Sequence, residues 1–261
     1  MTETDGIQQR TVAPRDSSTL QSVERACAVL EYLAACDEPQ TASQVSRALL
    51  IERTAAHRLL RSLRKSGIVW SERQGMYSIG PRALAIGMSY VEQMQVRRIA
   101  LPYLMELSFE YTEYPWSIVL AVFDGKDVLL VERLWNPRTP LNSLIEIGGK
   151  MPVDRTAAGW AYLATLTDED ATAIVGPPRF EEIRPKLEQA RRSSGLAFAS
   201  GELQPGIDAL SAPIIDSSGR VVALVIVGGT DFREQLVPDS PIARRVLRIV
   251  SRVSETLAAR R

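Results

Sequence analysis

One stretch of the sequence carries polar side chains at a spacing that would place them side by side on a helix. Thr54, His57, Arg58 and Arg61 stand at i, i+3, i+4 and i+7, so a helix would present them as one stripe. A second set at the same spacing is apolar and would form roughly the opposite face: Ala56, Leu59, Leu60 and Leu63. A helix with an outward stripe of Arg, His and Thr offers the hydrogen-bond donors that a DNA major groove accepts.

The local charge around this stripe supports an anionic partner. The whole chain has 31 basic and 31 acidic residues and a formal net charge of zero. Between Thr41 and Arg73, however, seven basic residues face two acidic ones, Glu52 and Glu72, and seven minus two leaves +5. Phosphates respond to local charge, so this segment is attractive to nucleic acid although the whole molecule is neutral.

The elements around the stripe follow the order helix, turn, helix and wing. We predict helices over residues 20–35, 42–49 and 53–66, and we assign Val23, Ala26, Leu30, Leu33 and Ala34 to the buried face of the first. Thr41 is typical of an N-cap with Gln44 as its capping-box partner, and Gly67 is typical of a left-handed C-cap. A small hairpin over 68–71 and 76–79, turned at Arg73-Gln74-Gly75, forms the wing.

Segments on either side of this unit differ in character. Residues 1–18 are polar and predict a disordered tail, with a DNA-touching arm through Arg10 and Arg15 as the alternative. Residues 81–94 predict a linker helix whose apolar content fits either dimerisation or packing on a second domain.

From about residue 95 the pattern becomes α+β. We expect a mixed sheet flanked by helices, which is typical of a small-molecule sensor domain without being diagnostic of one. The predicted helices cover 97–110, 156–166, 168–175 and 181–194, and the predicted strands cover 116–123, 127–134, 141–147, 196–199, 207–214 and 221–227, so that strands close the domain.

Composition excludes several classes of protein. A length of 261 residues fits two domains. Two cysteines, Cys27 and Cys36, and a single histidine leave neither a disulfide framework nor a metal site, and we expect no cofactor. No secretory signal or apolar membrane span is recognisable, so we expect a cytoplasmic chain. Enzyme motifs such as GxSxG, the P-loop and GxGxxG are missing, and a Ser-His-Asp triad would have to use His57.

Four motifs in order give the chain a family resemblance from about Ser18 to the C-terminus. They are SVERACAVLEYLA, HRLLRSLRKSGIV with GMYSIGPRALAIG, IGGKMPVDRTAAGWAYLA, and GELQPGIDALSAPIIDSSGRVVALVIVGG. The chain resembles the IclR family of bacterial transcriptional regulators. The resemblance implies a winged helix-turn-helix domain, a linker helix and a GAF-like effector-binding domain. It further implies a homodimer or dimer of dimers that binds double-stranded operator DNA and represses or activates an operon, often a catabolic one.

Carried onto this sequence, the resemblance assigns a set of DNA contacts. Base or phosphate contacts are expected from Arg53, Thr54, Ala55, His57, Arg58 and Arg61. Thr41 and Ser43 would present backbone amides and hydroxyls to a phosphate, and Arg73 and Gln74 would bring the wing to the adjacent groove or backbone. For His57 the alternative is a neutral, half-buried side chain.

The turn before the second helix departs from the family pattern. Relatives place Gly in this turn and Pro-Lys-Ser before the recognition helix, whereas this chain reads Leu49-Leu50-Ile51-Glu52-Arg53-Thr54. A left-handed conformation is costly for Leu50. Either the turn is therefore built differently or the preceding helix runs longer. Glu52 would repel phosphates unless it serves the helix as an N-terminal acid.

The resemblance likewise assigns an effector pocket. Its lining residues would be Met151, Asp154, Thr156, Ala157, Ala158, Gly159, Trp160, Leu196, Ala199, Ser200, Ala209, Ser211, Val225 and Val227. Relatives hold a carboxylate with polar groups where this chain has Ala199, Ala209, Val225 and Val227. Because unpaired buried polar groups are costly, we expect a hydrophobic or aromatic effector, with Trp160 as a stacking wall. The alternative is a degenerate pocket in ordinary core, in a regulator that acts without ligand or through a protein partner.

The fold class predicted is therefore α+β, in four segments. These are a tail over 1–18, a winged helix-turn-helix domain over 19–80, a linker helix over 81–95, and an effector-binding and oligomerisation domain over 96–261. An enzyme and a purely architectural DNA-binding protein are the alternative hypotheses. A second domain of this size argues against the architectural protein, because DNA packaging does not need it. The operator, the effector, the sign of regulation and the choice between dimer and tetramer are not encoded in any motif.

Overall fold

The computed structural model describes residues 19–71, 73, 75–135, 137–140 and 145–259. The predicted tail, the wing residue Gln74 and the first part of the strand predicted over 141–147 lie outside these residues. The chain divides into two compact units, with the division between Ser89 and Tyr90.

The first unit is a small helical domain with a three-stranded sheet. Its elements are α1 (Gln21–Ala34), β1 (Gln40–Thr41), α2 (Ala42–Ala48), α3 (Arg53–Lys65), β2 (Val69–Trp70) and β3 (Met76–Ile79), followed by α4 (Pro81–Gln93), which begins in this unit. The strands pair antiparallel in the order β1-β3-β2. The three helices and the wing are thus confirmed, and β1 is an addition that the sequence did not predict.

The N-terminus of α2 carries the predicted capping box. The Thr41 hydroxyl accepts a hydrogen bond from the Gln44 amide at 3.2 Å, and the Thr41 amide donates to Gln44 Oε1 at 2.8 Å. Two of the four amides that a helix start leaves without partners are satisfied in this way.

The buried face of α1 differs in part from the prediction. Val29 and Leu33 are buried, whereas Val23 and Ala34 are exposed. The 3.6-residue period centres the core-facing stripe on Val29, and Val23 and Ala34 lie outside that stripe. The prediction of burial for these two residues was therefore wrong.

The conformation of Leu50 shows how the unusual turn between α2 and the next helix is made. Helix α2 ends at Ala48, and Leu50 adopts a left-handed conformation with φ of 51°. The amide of Ile51 donates to the Ser46 carbonyl at 3.1 Å and the amide of Leu50 to the Arg47 carbonyl at 3.4 Å. These two bonds form a Schellman motif. The turn therefore keeps the left-handed geometry that usually selects glycine, and α2 does not run longer.

Helix α3 ends in a second Schellman motif, here with glycine at the left-handed position. Gly67 has φ of 76°, its amide donates to the Arg64 carbonyl at 3.0 Å, and the Ile68 amide donates to the Leu63 carbonyl at 3.2 Å. The C-cap predicted for Gly67 is confirmed.

The second unit is built on a six-stranded sheet. Its elements after α4 are α5 (Gln95–Glu110), β4 (Trp116–Phe123), β5 (Asp127–Leu134), β6 (Lys150–Pro152), α6 (Ala157–Leu163), α7 (Asp168–Val175), α8 (Pro177–Arg192), β7 (Ala197–Ser200), β8 (Asp208–Ile215), β9 (Val221–Gly229) and α9 (Pro241–Ala258). The strand order is β6-β5-β4-β9-β8-β7. Every pairing between the described strands is antiparallel, so the expected mixed sheet is not observed.

Two apolar clusters occupy the two faces of this sheet. Residues of α5 and α9 pack on one face, which we call the α9 face. Residues of α6, α7 and α8 pack on the other, which we call the α6 face. Alternate residues of each strand belong to different clusters, as the two-residue period of a strand requires.

Three predicted elements need correction. The strand expected to reach Ile147 is a turn there, because Gly148 has φ of 82° and pairing with β5 is taken up by Lys150–Pro152. Helix α8 begins at Pro177, four residues earlier than predicted, since proline is well suited to the first turn of a helix. Strands do not close the domain: α9 follows them, with Ser240 as its N-cap.

Candidate DNA interface and ligand face

The two stripes of α3 separate as their spacing requires. Ala56 and Leu60 are fully buried against the rest of the first unit, and Leu59 and Leu63 are half-buried. The polar residues on the other side are exposed: Arg53, Thr54, His57, Arg58 and Arg61. Ala55 is half-buried at the edge between the stripes.

The exposed cations of α3 have free hydrogen-bonding capacity. In the part of the chain that the structure describes, no hydrogen bond or ion pair engages the side chains of Arg53, Arg58 or Arg61. Each guanidinium carries five N–H donors and matches the acceptor pair of a guanine edge or a phosphate. The surface is therefore prepared to donate to an acceptor-rich partner.

The start of α2 offers less to a phosphate than expected. The backbone amide and the hydroxyl proton of Thr41 are both donated to Gln44 Oε1, at 2.8 and 2.7 Å. Both protons that we assigned to a phosphate contact are thus consumed by the capping box, which corrects the role of Thr41. Ser43, half-buried in the first turn, retains its place at the helix N-terminus.

The wing presents one described cation. Arg73 is exposed, and its carbonyl accepts from the Met76 amide at 3.0 Å and from the Ser71 hydroxyl at 2.8 Å. Gly75 completes the turn with φ of 84°. Arg73 therefore extends from a hydrogen-bonded turn, as a wing contact requires.

Glu52 occupies the N-cap position of α3 and makes no capping hydrogen bond through its side chain. Its carbonyl accepts the first helical bond, from Ala56 at 2.9 Å. The positive end of the helix dipole stabilises a carboxylate at this position, and this stabilisation offsets part of the repulsion between Glu52 and phosphates.

The residues assigned to the effector pocket do not all share one face of the sheet. Met151, Ala157, Ala158, Trp160 and Ala199 belong to the cluster on the α6 face, and Ala209 packs against it. Leu196, Val225 and Val227 belong to the cluster on the α9 face. These three cannot line a pocket beneath α6, because neighbouring strand residues point to opposite faces. The residues of β9 on the α6 face are Leu224 and Ile226.

Several polar groups near the α6 face are already paired within the protein. The Asp154 carboxylate accepts from Arg179 Nε at 2.9 Å, and the Ser211 hydroxyl donates to the Val225 carbonyl at 3.0 Å. Thr156 is the N-cap of α6; its hydroxyl accepts from the Gly159 amide at 3.1 Å and donates to the Pro152 carbonyl at 3.0 Å.

Ser200 lies at the end of β7, and its hydroxyl accepts from Arg233 Nη2 at 2.8 Å. Its strand neighbours alternate between the two faces, with Phe198 on the α9 face and Ala199 on the α6 face. Ser200 therefore shares the side of Phe198 and lies apart from the pocket residues under α6.

Trp160 is part of the packed interior. Its ring is 2% exposed, its indole N–H donates to the Asp154 carbonyl at 2.9 Å, and Lys186 Nζ lies 5.1 Å from the ring centroid. The ring face that we expected to stack on an effector is thus already covered by protein atoms. This observation corrects the role of Trp160 as a stacking wall.

Gly159 explains how α6 approaches the loop before it. A Cβ at this position would lie 1.8 Å from the Val153 carbonyl oxygen. Only glycine allows that approach, which sets the depth of α6 against the sheet.

Comparisons with known proteins agree with both units. The model of the IclR helix-turn-helix domain matches residues 22–72, and the model of the bacterial transcriptional regulator IclR C-terminal domain matches residues 88–254. The chain belongs to the IclR family of transcriptional regulators.

Individual relatives cover nearly the whole chain. The glycerol operon regulatory protein of Streptomyces griseus is 30% identical over 244 residues, which are 88% of this chain and 92% of the relative. An IclR family regulator from Brucella abortus has a TM-score of 0.78 at 19% identity, over 95% of this chain and 96% of that one. An IclR homolog from Microbacterium hydrocarbonoxydans, solved with 4-hydroxybenzoate, has a TM-score of 0.72 at 21% identity, over 91% and 99%. The last two show the shared fold.

The IclR assignment places the chain among regulators rather than enzymes. Within the described residues, no group of three or more His, Cys, Asp and Glu side chains could hold a metal ion. No helix among them is both long and apolar enough to cross a membrane.

Sequence reasoning missed two features of this IclR chain. Leu224 and Ile226 could have been found by counting strand parity from Ala199 and Ala209 through the antiparallel register. Arg82, which contacts the end of α3, follows the proline that starts α4, and no local sequence pattern marks its partner.

Proposed function

We propose that this IclR-family chain is a cytoplasmic, ligand-gated regulator that reads double-stranded operator DNA with α3 and controls a catabolic operon in response to a hydrophobic or aromatic effector. The DNA-binding part of the proposal rests on the stripe of exposed donors on α3, which have no partner among the described residues and lie opposite the apolar face of the helix. The effector half rests on the composition and pairing of the α6 face.

Reading by α3 is supported by the chemistry of its exposed residues. Arg58 and Arg61 have the fork geometry for a guanine edge or a phosphate, while Thr54 and His57 add further hydrogen-bonding groups. Ser43 and Arg73 lie on the two elements that flank a recognition helix, and both suit phosphate contacts that hold it in register. The net charge of +5 over residues 41–73 steers this surface toward DNA.

A hydrophobic or aromatic effector is supported by the scarcity of free polar groups on the α6 face. The strand residues that pack on this face are apolar; those of β7, β8 and β9 are Ala197, Ala199, Ala209, Leu224 and Ile226. Thr156, Ser211 and Asp154 already bond to protein partners. Each polar effector atom left without a partner costs about 1–3 kcal/mol, and a small keto acid has no apolar ring whose burial would offset that cost, whereas an aromatic acid does. The 4-hydroxybenzoate complex of the Microbacterium homolog makes an aromatic acid a reasonable first probe.

A homodimer, alone or as half of a tetramer, is supported by the surface of α4. None of its residues is buried, and Leu84, Ile86 and Met88 are 67%, 61% and 41% exposed. Leu84 and Met88, four residues apart, share one face of α4, and an exposed apolar face on a helix favours a partner helix. Twofold symmetry would also place two copies of α3 on successive half-sites of an operator.

The test uses one DNA probe, which we call the selected duplex: the sequence that the wild-type chain enriches from a random-sequence pool. Its Kd is measured alone, with aromatic acids including 4-hydroxybenzoate, and with pyruvate. We expect an aromatic acid to change Kd about fivefold or more, the usual range of allosteric coupling, and pyruvate to leave it unchanged.

Other outcomes would revise the proposal in defined ways. A response to pyruvate alone would contradict the effector class. The packed side chains around Trp160 favour one alternative, a degenerate pocket in a regulator that acts without ligand or through a protein partner. DNA binding that no small acid changes would establish that alternative. Failure to enrich any sequence would contradict the regulator itself.

A further inference from the structure

We infer that Arg82 is a positioning residue, which fixes the C-terminal end of α3 to the first turn of α4 and thereby sets the angle at which α3 meets DNA. The inference rests on the proposed role of α3 as the DNA-reading helix. It concerns contacts inside the first unit alone.

The end of α3 leaves the carbonyls of Lys65 and Ser66 for outside donors. The Schellman motif satisfies the carbonyls of Leu63 and Arg64. The C-cap carbonyl, that of Ser66, receives the Arg82 Nη1 donor at 2.8 Å. A guanidinium is a favourable partner there, because the C-terminus of a helix carries partial negative charge.

Helix α4 itself offers the positive charge of Arg82 no favourable electrostatic partner. Arg82 lies in the first turn of α4, where the helix dipole disfavours a cation. No ion pair with Arg82 is formed within the described part of the chain. The electrostatic partner that the structure provides is therefore the end of α3.

The aliphatic part of Arg82 also packs on the left-handed residue of that motif. A Cβ on Gly67 would lie 2.7 Å from Arg82 Cδ. Glycine at this position thus serves two requirements, the φ of 76° and the space for the Arg82 side chain.

Gly80 forms the other half of the junction. Its amide donates to the Ile68 carbonyl at 2.7 Å, and a Cβ on it would lie 2.5 Å from the Gly67 carbonyl oxygen. The backbone leading into α4 is therefore in direct contact with the backbone leaving α3. The Gly80 backbone contact and the Arg82 hydrogen bond therefore join the end of α3 to the start of α4 at one junction.

A positioning role makes a different prediction from a direct phosphate contact. If Arg82 bound a phosphate, its loss would weaken binding to all duplexes and lower the salt slope by about one. If it orients α3, its loss would weaken the selected duplex only, because base contacts depend on the angle of the helix whereas random phosphate contacts tolerate its change.

The experiment compares full-length Arg82→Gln with wild type. We expect its affinity for the selected duplex to fall about tenfold, the equivalent of about one charge-assisted hydrogen bond. Its affinity for random-sequence duplex and its salt slope should stay at the wild-type values. A melting temperature equal to that of wild type shows that the variant is folded. Arg192→Gln, on the exposed surface of α8, is the matched control and should leave every value unchanged.

A double-mutant cycle gives an independent readout of the Gly67–Arg82 contact. Gly67→Ala adds a Cβ that meets Arg82, so its effect on affinity should be smaller in an Arg82→Ala background than in wild type. The two single effects should therefore fail to add.

Each outcome separates this inference from the proposed function. If the wild-type chain enriches a duplex and Arg82→Gln binds it with the same affinity, the positioning role of Arg82 is contradicted and the proposed regulator function is not. A lowered salt slope with equal loss on all duplexes would make Arg82 a phosphate contact and overturn the positioning role. Additive effects in the double-mutant cycle would show that Gly67 and Arg82 act separately, which would contradict their proposed contact.

Discussion

The Ile51 amide donates to the Ser46 carbonyl at 3.1 Å, and this closure holds Leu50 in the left-handed region with φ of 51°. The Ser46 hydroxyl returns a bond to the Ile51 carbonyl at 2.7 Å. The turn that presents α3 is thus fixed by two bonds between the same two residues. The Leu50 side chain, 86% exposed, gains little burial in return for its strain.

Replacing Leu50 with glycine should stabilise this turn. The left-handed conformation costs a residue with a Cβ about 1–2 kcal/mol, and the greater freedom of glycine in the unfolded chain removes about 0.5–1 kcal/mol of the gain. Hydrogen exchange at the α2 and α3 amides should therefore slow about twofold to fivefold in Leu50→Gly. Leu50→Ala keeps the Cβ and should leave exchange near wild type. Equal exchange in Leu50→Gly and wild type would show that the backbone stores no strain there.

Two glycine-to-alanine changes in helices should act in opposite directions. Gly159→Ala places a Cβ 1.8 Å from the Val153 carbonyl oxygen and should lower the free energy of unfolding of the second unit by about 3 kcal/mol or more. Gly87→Ala meets no atom within 4 Å and should stabilise α4 by about 1 kcal/mol. Thermal unfolding of both variants checks the pair. A Gly159→Ala variant as stable as wild type would contradict the close approach of α6.

Local signals in the sequence predicted much of the first unit. The spacing from Thr54 to Arg61 identified the polar face of α3, and Thr41 with Gln44 marked the start of α2 to the residue. These features depend on neighbours within a few positions, which the sequence shows directly. The left-handed Leu50 was recognised as a departure, but only the hydrogen bonds from Ile51 decided how the turn is made.

The ligand face was harder to predict because it depends on strand parity across the sheet. Val225 and Val227 were chosen by alignment to motifs, yet they lie on the α9 face, and their neighbours Leu224 and Ile226 lie under α6. A shift of one residue in a strand exchanges every side chain between the two faces. The prediction that strands close the domain was wrong because the packing of α9 on the sheet depends on long-range contacts, which no local pattern shows.

The parity of β9 gives a direct test of the ligand face. Ile226→Ala removes apolar surface beneath α6 and should weaken binding of an aromatic acid about tenfold, whereas Val225→Ala should change Kd by about twofold at most. Calorimetric titration of both variants supplies the two Kd values. Both substitutions lower the stability of the protein, so the ligand Kd rather than the melting temperature shows which face of the sheet binds the ligand. A larger loss in Val225→Ala would place the ligand on the α9 face.

Arg58 and Arg61 should account for much of the affinity for the selected duplex. Removing one good base contact costs about 1–3 kcal/mol, so Arg58→Gln or Arg61→Gln should raise Kd about tenfold or more. A base contact relaxes the preference at one base pair, and a phosphate contact lowers the salt slope by about one. Arg192→Gln is again the control, with a side chain that is 74% exposed in the second unit. Wild-type binding by both variants would remove the α3 stripe from the interface.

The most direct measurement is a footprint of the wild-type chain on the selected duplex, repeated with the Arg58→Gln/Arg61→Gln double variant. Two copies of α3 in a dimer should protect two half-sites about 10 base pairs apart, or a multiple of that spacing. The double variant should lose this protection while its thermal unfolding stays as in wild type. Uniform protection without half-sites, or an unchanged footprint in the double variant, would contradict the account of α3 as the helix that reads DNA.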